Sequence, residues 1–180
     1  YVINMIEHFE EKISATNLKS KMREEIILKH FILDYFNKKT LDYYFSSLDK
    51  SISEKYAKAI LLKIAKGVEE IHDAKFCHLD LKPDNIMITQ QNDFGVIKIM
   101  DFGLSKIVST QEKMVDRYGT LSYVAPEVLL RTPYNKEVDI WSMGVILYYM
   151  LCGHLPFKGN KEVAIAEKIV NDDLEFDDEE

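Results

Sequence analysis

The eight residues HLDLKPDN at 78–85 constrain this chain more than any other stretch. They set a His, two Asp, a Lys and an Asn straight after an apolar helix-like run and straight before the β-like IMIT at 86–89. Charged groups that tend to be buried cost free energy unless they are paired or have work to do. A fold for this sequence must therefore hold a charged loop at the junction of a helix and a strand. Sixteen residues after Asn85 comes DFG at 101–103.

The flanking segments indicate the frame. YVINMIEHFE (1–10) and EEIILKHFILDYF (24–36) are rich in Val, Ile, Phe and Tyr and read as two strands. The polar EKISATNLKSKMR (11–23) between them reads as an extended loop. NKKTLDYYFSSL (37–48) reads as a short helix. Ser53 is placed to cap a long helix in which Ala57, Ile60, Leu61, Ile64, Val68 and Ile71 keep helical spacing. IMIT and VIKIM (96–100) read as short strands separated by the turn-rich QQNDFG. The polar 105–123 is long enough to be a functional loop. DIWSMGVILYYML (139–151) is apolar nearly all round, which predicts a buried central helix, and Asn160 is placed to cap a last helix through 161–170. Strands followed by helices imply a mostly helical domain with a strand layer at its front edge.

Composition excludes several classes. With 180 residues and 47% hydrophobic content the chain can bury one sizeable core. The net charge of −7 comes from DDLEFDDEE at 172–180, because residues 1–171 carry 23 acids against 23 bases. No basic excess is available for nucleic acid. The longest apolar stretch lies in GVILYYMLCG (144–153), short of the roughly 18 residues of a membrane span. Cys77 and Cys152 are the only cysteines and lack paired spacing, which favours a reducing, cytoplasmic compartment. His72, Cys77, His78 and Asp80 straddle a helix end and a loop without the paired spacing of a zinc site.

HLDLKPDN, DFGLSK, GTLSYVAPE and DIWSMG, in this order and spacing, closely resemble the catalytic core of eukaryotic protein kinases. One three-letter match is weak; four in sequence order are strong. The resemblance implies an α+β, protein kinase-like fold and transfer of phosphate from ATP, with Mg²⁺, to a protein Ser or Thr hydroxyl. Phosphoryl transfer leaves the protein mainly to position an acceptor and neutralise phosphate charge. By resemblance, Asp80 orients the hydroxyl, Lys82 contacts the transferring phosphate, and Thr120 bonds both and fixes the substrate backbone. Asn85 and Asp101 offer hard oxygen ligands suited to Mg²⁺. Met87 would floor the adenine pocket, and 33–36 would be the hinge. His78 and Phe102 would belong to a stacked apolar spine that ties the loop to DFG, and Asp139 would accept hydrogen bonds from the loop backbone. Asp84 resembles an acid that reads a basic residue before the target site, whereas Thr40 stands where related kinases carry a second acid.

The chain also departs from the pattern. Leu79 stands where the usual loop has an Arg that pairs with a phosphate on the activation segment, so dependence on phosphorylation of Ser109, Thr110 or Thr120 should be reduced. No Gly-rich loop or strand lysine is present, and the start resembles the fourth strand of the small lobe. The expectation is a partial catalytic domain: 1–36 the end of the small lobe, and 37–180 the large lobe cut before its last helices. Glu127 would then lack the Arg it pairs with, and these residues alone would be inactive. DFGLSK, YVAPEVL and the run from Tyr134 to Phe157 look most like the calcium/calmodulin-regulated group. The Lys, Asn and Ile bias and the insertion between the first strands are similar to apicomplexan calcium-dependent kinases. A calcium-sensing region would lie outside these residues, which contain no EF-hand loop. The alternative is a pseudokinase or nucleotide-binding scaffold without turnover.

Overall fold

The first described element is a hairpin. The structure is a computed structural model and describes residues 1–16, 23–33, 35, 39–46, 51–88, 95–108 and 113–174. Strand β1 (Met5–Thr16) pairs antiparallel with β2 (Arg23–Leu33), in register from Met5 opposite Leu33 to Thr16 opposite Arg23, with an irregularity between Met5 and Glu7. Residues 11–16 and Arg23 thus belong to the strands and not to the loop expected from their polarity. Ladder bonds join backbone to backbone, so polar residues in a two-stranded ribbon do not oppose pairing. Residues 3–37 form one compact unit, and 1–2 with 38–180 form the other.

The second unit carries the chemistry. Strand β3 (Lys39–Thr40) leads into helix α1 (Leu41–Ser46), so of the helix expected over 37–48 residues 39–40 are strand, while 37, 38, 47 and 48 lie outside the described residues. Helix α2 (Glu54–Asp73) buries Ala57, Ile60, Ile64, Val68 and Ile71 on one stripe. Ser53 stands at its N-cap in an extended conformation, yet its hydroxyl makes no capping bond; its carbonyl accepts the N–H groups of Tyr56 and Ala57. Strand β4 (Phe76–Cys77) follows, then the charged loop, a 3-10 turn at Pro83–Asn85 and strand β5 (Ile86–Ile88). Strand β6 (Ile97–Ile99) completes a three-stranded sheet in the order β3, β5, β6. Ile86, Ile88, Ile97 and Ile99 point to the α2 side and are buried, which turns Met87 to the opposite face.

Strand β7 (Lys106–Ile107) pairs with β4, and a 3-10 turn at Leu121–Tyr123 leads into helix α3 (Pro126–Leu129). Helix α4 (Glu137–Cys152) packs on α2 through Met143, Ile146 and Met150. It is not buried all round, since Ile140 is 55% exposed and Gly144 is also exposed. Gly153 closes α4 at φ 73°, a left-handed conformation natural to glycine. Helix α5 (Glu162–Asn171) is N-capped by Lys161 rather than Asn160: Lys161 is the extended residue whose carbonyl accepts the Ile165 N–H. No described helix is long and apolar enough to cross a membrane. The architecture is α+β and protein kinase-like, with a small sheet and a helical body.

Candidate active site

The charged loop rests on one buried carboxylate. Asp139 lies in the first turn of α4, where the helix dipole favours negative charge, and is 1% exposed. Its Oδ2 accepts the N–H of His78 at 2.9 Å and its Oδ1 that of Leu79 at 3.0 Å. His72 Nε2 lies 2.8 Å from the same Oδ2, and the Cys77 thiol donates to it at 3.4 Å. Burial pushes the Asp139 carboxyl up, but the bonds from His72, His78 and Leu79 together hold it below the usual carboxylate range. Asp139 therefore stays charged and accepts every bond it is offered. The same deep burial and the neighbouring Asp139 push the Cys77 thiol up, which keeps it protonated and unreactive. Among the described residues no group of three or more His, Cys, Asp or Glu side chains is placed to hold a metal ion.

His78 ties this loop to DFG. Its ring is fully buried; Nδ1 accepts the Asp80 N–H at 3.3 Å, which leaves Nε2–H to donate to the Met100 carbonyl at 3.1 Å. Both nitrogens are satisfied only in the neutral ring. Burial lowers the His78 pKa accordingly. The Phe102 ring meets it edge-on with centroids 5.0 Å apart, and the Ser105 hydroxyl donates to the His78 carbonyl at 3.2 Å.

Asp80 gathers the residues expected to do chemistry. Its Oδ1 accepts both the N–H and the hydroxyl of Thr120, at 2.9 and 2.8 Å. Lys82, in extended backbone two residues on, brings Nζ to 3.0 Å from Asp80 Oδ2 and donates to Thr120 Oγ1 at 2.7 Å. Burial pushes the Asp80 carboxyl up, but the bonds from Thr120 and Lys82 outweigh it in sum and hold it below the usual range. A charged carboxylate beside a hydroxyl and an ammonium is equipped to orient an incoming O–H and accept its proton.

Asn85 and Asp101 enter from adjoining backbone, because the Met100 N–H donates to the Asn85 carbonyl at 2.9 Å. Asn85 is 6% exposed, and its amide nitrogen donates to the Asp80 carbonyl and Oδ2 at 2.8 and 3.1 Å. Its Oδ1 has no partner among the described residues, a buried acceptor that a hard cation would satisfy. Asp101 takes φ 63°, and its Oδ1 accepts the Gly103 N–H at 3.2 Å, leaving the other oxygen exposed. Two oxygen donors suit Mg²⁺, which completes its shell with water and phosphate. Met87 stands between Thr40 and Lys98 on the sheet face away from the core. Of the expected hinge, Leu33 and Tyr35 are exposed, while Asp34 and Phe36 lie outside the described residues, as do Ser109 and Thr110. Glu127 is partly buried and has no ion pair among the described residues.

Three supporting residues were not singled out for these roles from sequence. His72 sits in the last turn of α2, Ser105 belongs to the quoted DFGLSK, and Gly119 lies where a Cβ would stand 2.5 Å from the Leu79 carbonyl. A histidine on a helix end and a glycine before a motif threonine were the available signals.

Comparison with known proteins gives the family. The protein kinase domain family model matches residues 1–179. The chain is 42% identical over 130 residues to a probable myosin light chain kinase of Dictyostelium discoideum, covering 72% of this chain and 37% of that protein. It is 44% identical over 129 residues to myosin light chain kinase A of the same organism, covering 72% and 44%. It is 40% identical over 132 residues to serine/threonine-protein kinase 17A of Oryctolagus cuniculus, covering 73% and 33%. The chain thus spans less than half the length of these curated relatives.

Proposed function

The chain belongs to the protein kinase domain family, and from that premise we propose that the full-length protein transfers the γ-phosphoryl group of ATP to a Ser or Thr hydroxyl of a protein substrate. The observation that carries this reading is Asp80 bonded at once to Thr120 and Lys82. In the step, the substrate oxygen forms a bond to the γ-phosphorus as the bond to the ADP oxygen breaks, and the hydroxyl proton passes to Asp80. Lys82 sits beside the acceptor and offers its ammonium to the phosphoryl oxygens. Asn85 and Asp101 would hold Mg²⁺, which supplies neutralisation of crowded phosphate charge.

Resemblance in the 134–157 run supports placement in the calcium/calmodulin-regulated group, with calcium control exerted from outside these residues. A basic residue before the target site is supported by the exposed Asp84 and by Asp42, whose carboxyl is pushed up by burial and by Asp84. Asp42 supplies the second acid that Thr40 does not.

The test is incubation of the full-length protein with labelled ATP, Mg²⁺ and peptides that differ only in carrying Ser, Thr or Tyr. Label on Ser and Thr but not Tyr, abolished by chelation, is the expected result. Nucleotide binding with no transfer to any peptide would establish a scaffold instead.

A further inference from the structure

Thr120 reaches Asp80 from the segment after DFG, so something must hold that segment against the loop. The apolar part of the grip is plain. Leu79 is 7% exposed in a cluster with Cys77, Val124, Val128 and Tyr134, and the Tyr118 ring packs against this cluster. Gly119, at φ 99°, brings backbone against the Leu79 carbonyl. A polar linkage lies beside it. Lys106 Nζ donates to the Tyr118 hydroxyl and lies 4.2 Å from the centre of that ring. The Tyr118 hydroxyl in turn donates to Asp116 Oδ2 at 3.1 Å, and Lys106 Nζ is 3.9 Å from the same oxygen. Tyr134 donates to the Asp116 carbonyl at 2.7 Å.

We propose that Lys106, acting through Tyr118 and Asp116, is a positioning residue for Thr120 that anchors this segment without an added phosphate. This rests on the kinase reading and specifies how its substrate-side segment is ordered. Lys106 is fixed by the pairing of β7 with β4, and β4 runs directly into the charged loop. The linkage therefore closes a ring from the loop through β4, β7, Lys106, Tyr118 and Thr120 back to Asp80. Lys106 and Asp116 are substantially exposed, so each contact is individually weak in water. Their effect lies in acting on one ring, two residues from Thr120.

The experiment compares the full-length protein with Lys106→Met, Lys106→Arg and Asp116→Asn by amide hydrogen exchange and by steady-state kinetics. Exchange at 118–120 should rise about tenfold in Lys106→Met and Asp116→Asn, with α2 and α4 unchanged. In both, kcat should fall about fivefold at unaltered KM for ATP, and Lys106→Arg should recover most of the loss. Unchanged exchange at 118–120, or a uniform rise across α2 and α4, would overturn the proposal. Absence of transfer by the unaltered protein, with the exchange result as expected, would instead defeat the kinase reading and leave the positioning role standing.

Discussion

The Asp139 carboxylate accepts the backbone N–H of Leu79 at 3.0 Å while Leu79 holds a left-handed φ of 68°. A non-glycine residue in that region carries about 1–2 kcal/mol of strain. The bond to Leu79, with its companion to His78, offsets it.

Asp139→Ala should therefore lower stability by about 3 kcal/mol, since two buried N–H groups lose their acceptor. Asp139→Asn, which keeps one acceptor oxygen, should lose less. Denaturant unfolding reads this as a midpoint shift at constant slope. Equal midpoints for Asp139→Ala and the parent would contradict the assigned role.

His78 gives a pH dependence with a definite sign. The folded pKa lies below that of the free imidazole, about 6.5. As pH falls below that value the unfolded chain takes up a proton that the folded ring refuses, so this contribution is complete above about 6.5 and is lost below it. An imidazole NMR titration should give His78 a midpoint below that of a free imidazole, with hydrogen on Nε2 in the neutral ring. A midpoint at or above the free value would refute the assignment.

Thr120 should tolerate Ser and not Ala. Thr120→Ala removes the hydroxyl shared by Asp80 and Lys82, and kcat should fall about 30-fold, while Thr120→Ser should stay within about threefold. Because the lost bond helps hold the Asp80 carboxyl down, the acid limb of the pH–rate profile should move to higher pH in Thr120→Ala. A limb that stays in place would separate Thr120 from the titration of Asp80.

Phosphatase treatment should change the rate less than about a hundredfold, near 2.7 kcal/mol of barrier. Leu79 offers no guanidinium to a phosphate and is buried among apolar side chains. Phosphorylation of Thr120 itself should inhibit, since its hydroxyl is already committed to Asp80 and Lys82. Activation by a phosphate on Thr120 would reverse this picture.

The loop, DFG and the long helices were legible because their residue types and spacing state their chemistry directly. Ile60, Ile64 and Val68 declare a buried stripe, and HLDLKPDN declares a site whatever surrounds it. What the letters hid was set by geometry. The length of the β1–β2 ladder depends on backbone pairing to which polar side chains are indifferent. The caps at Ser53 and Lys161 depend on which residue turns extended. The exposed line of Ile140 and Gly144 on α4 depends on what packs there, which an all-round apolar pattern does not encode. Lys106, Tyr118 and Asp116 fall 12 residues or fewer apart and still needed the fold to bring them together.

The most direct measurement is the rate of phosphate transfer from ATP to a Ser-containing peptide by the full-length protein beside its Asp80→Asn variant. The expected loss in kcat is about a thousandfold at little change in KM for ATP, because the amide keeps the shape and cannot take the proton. Equal rates for the two would contradict the assignment of Asp80 and the site built on it.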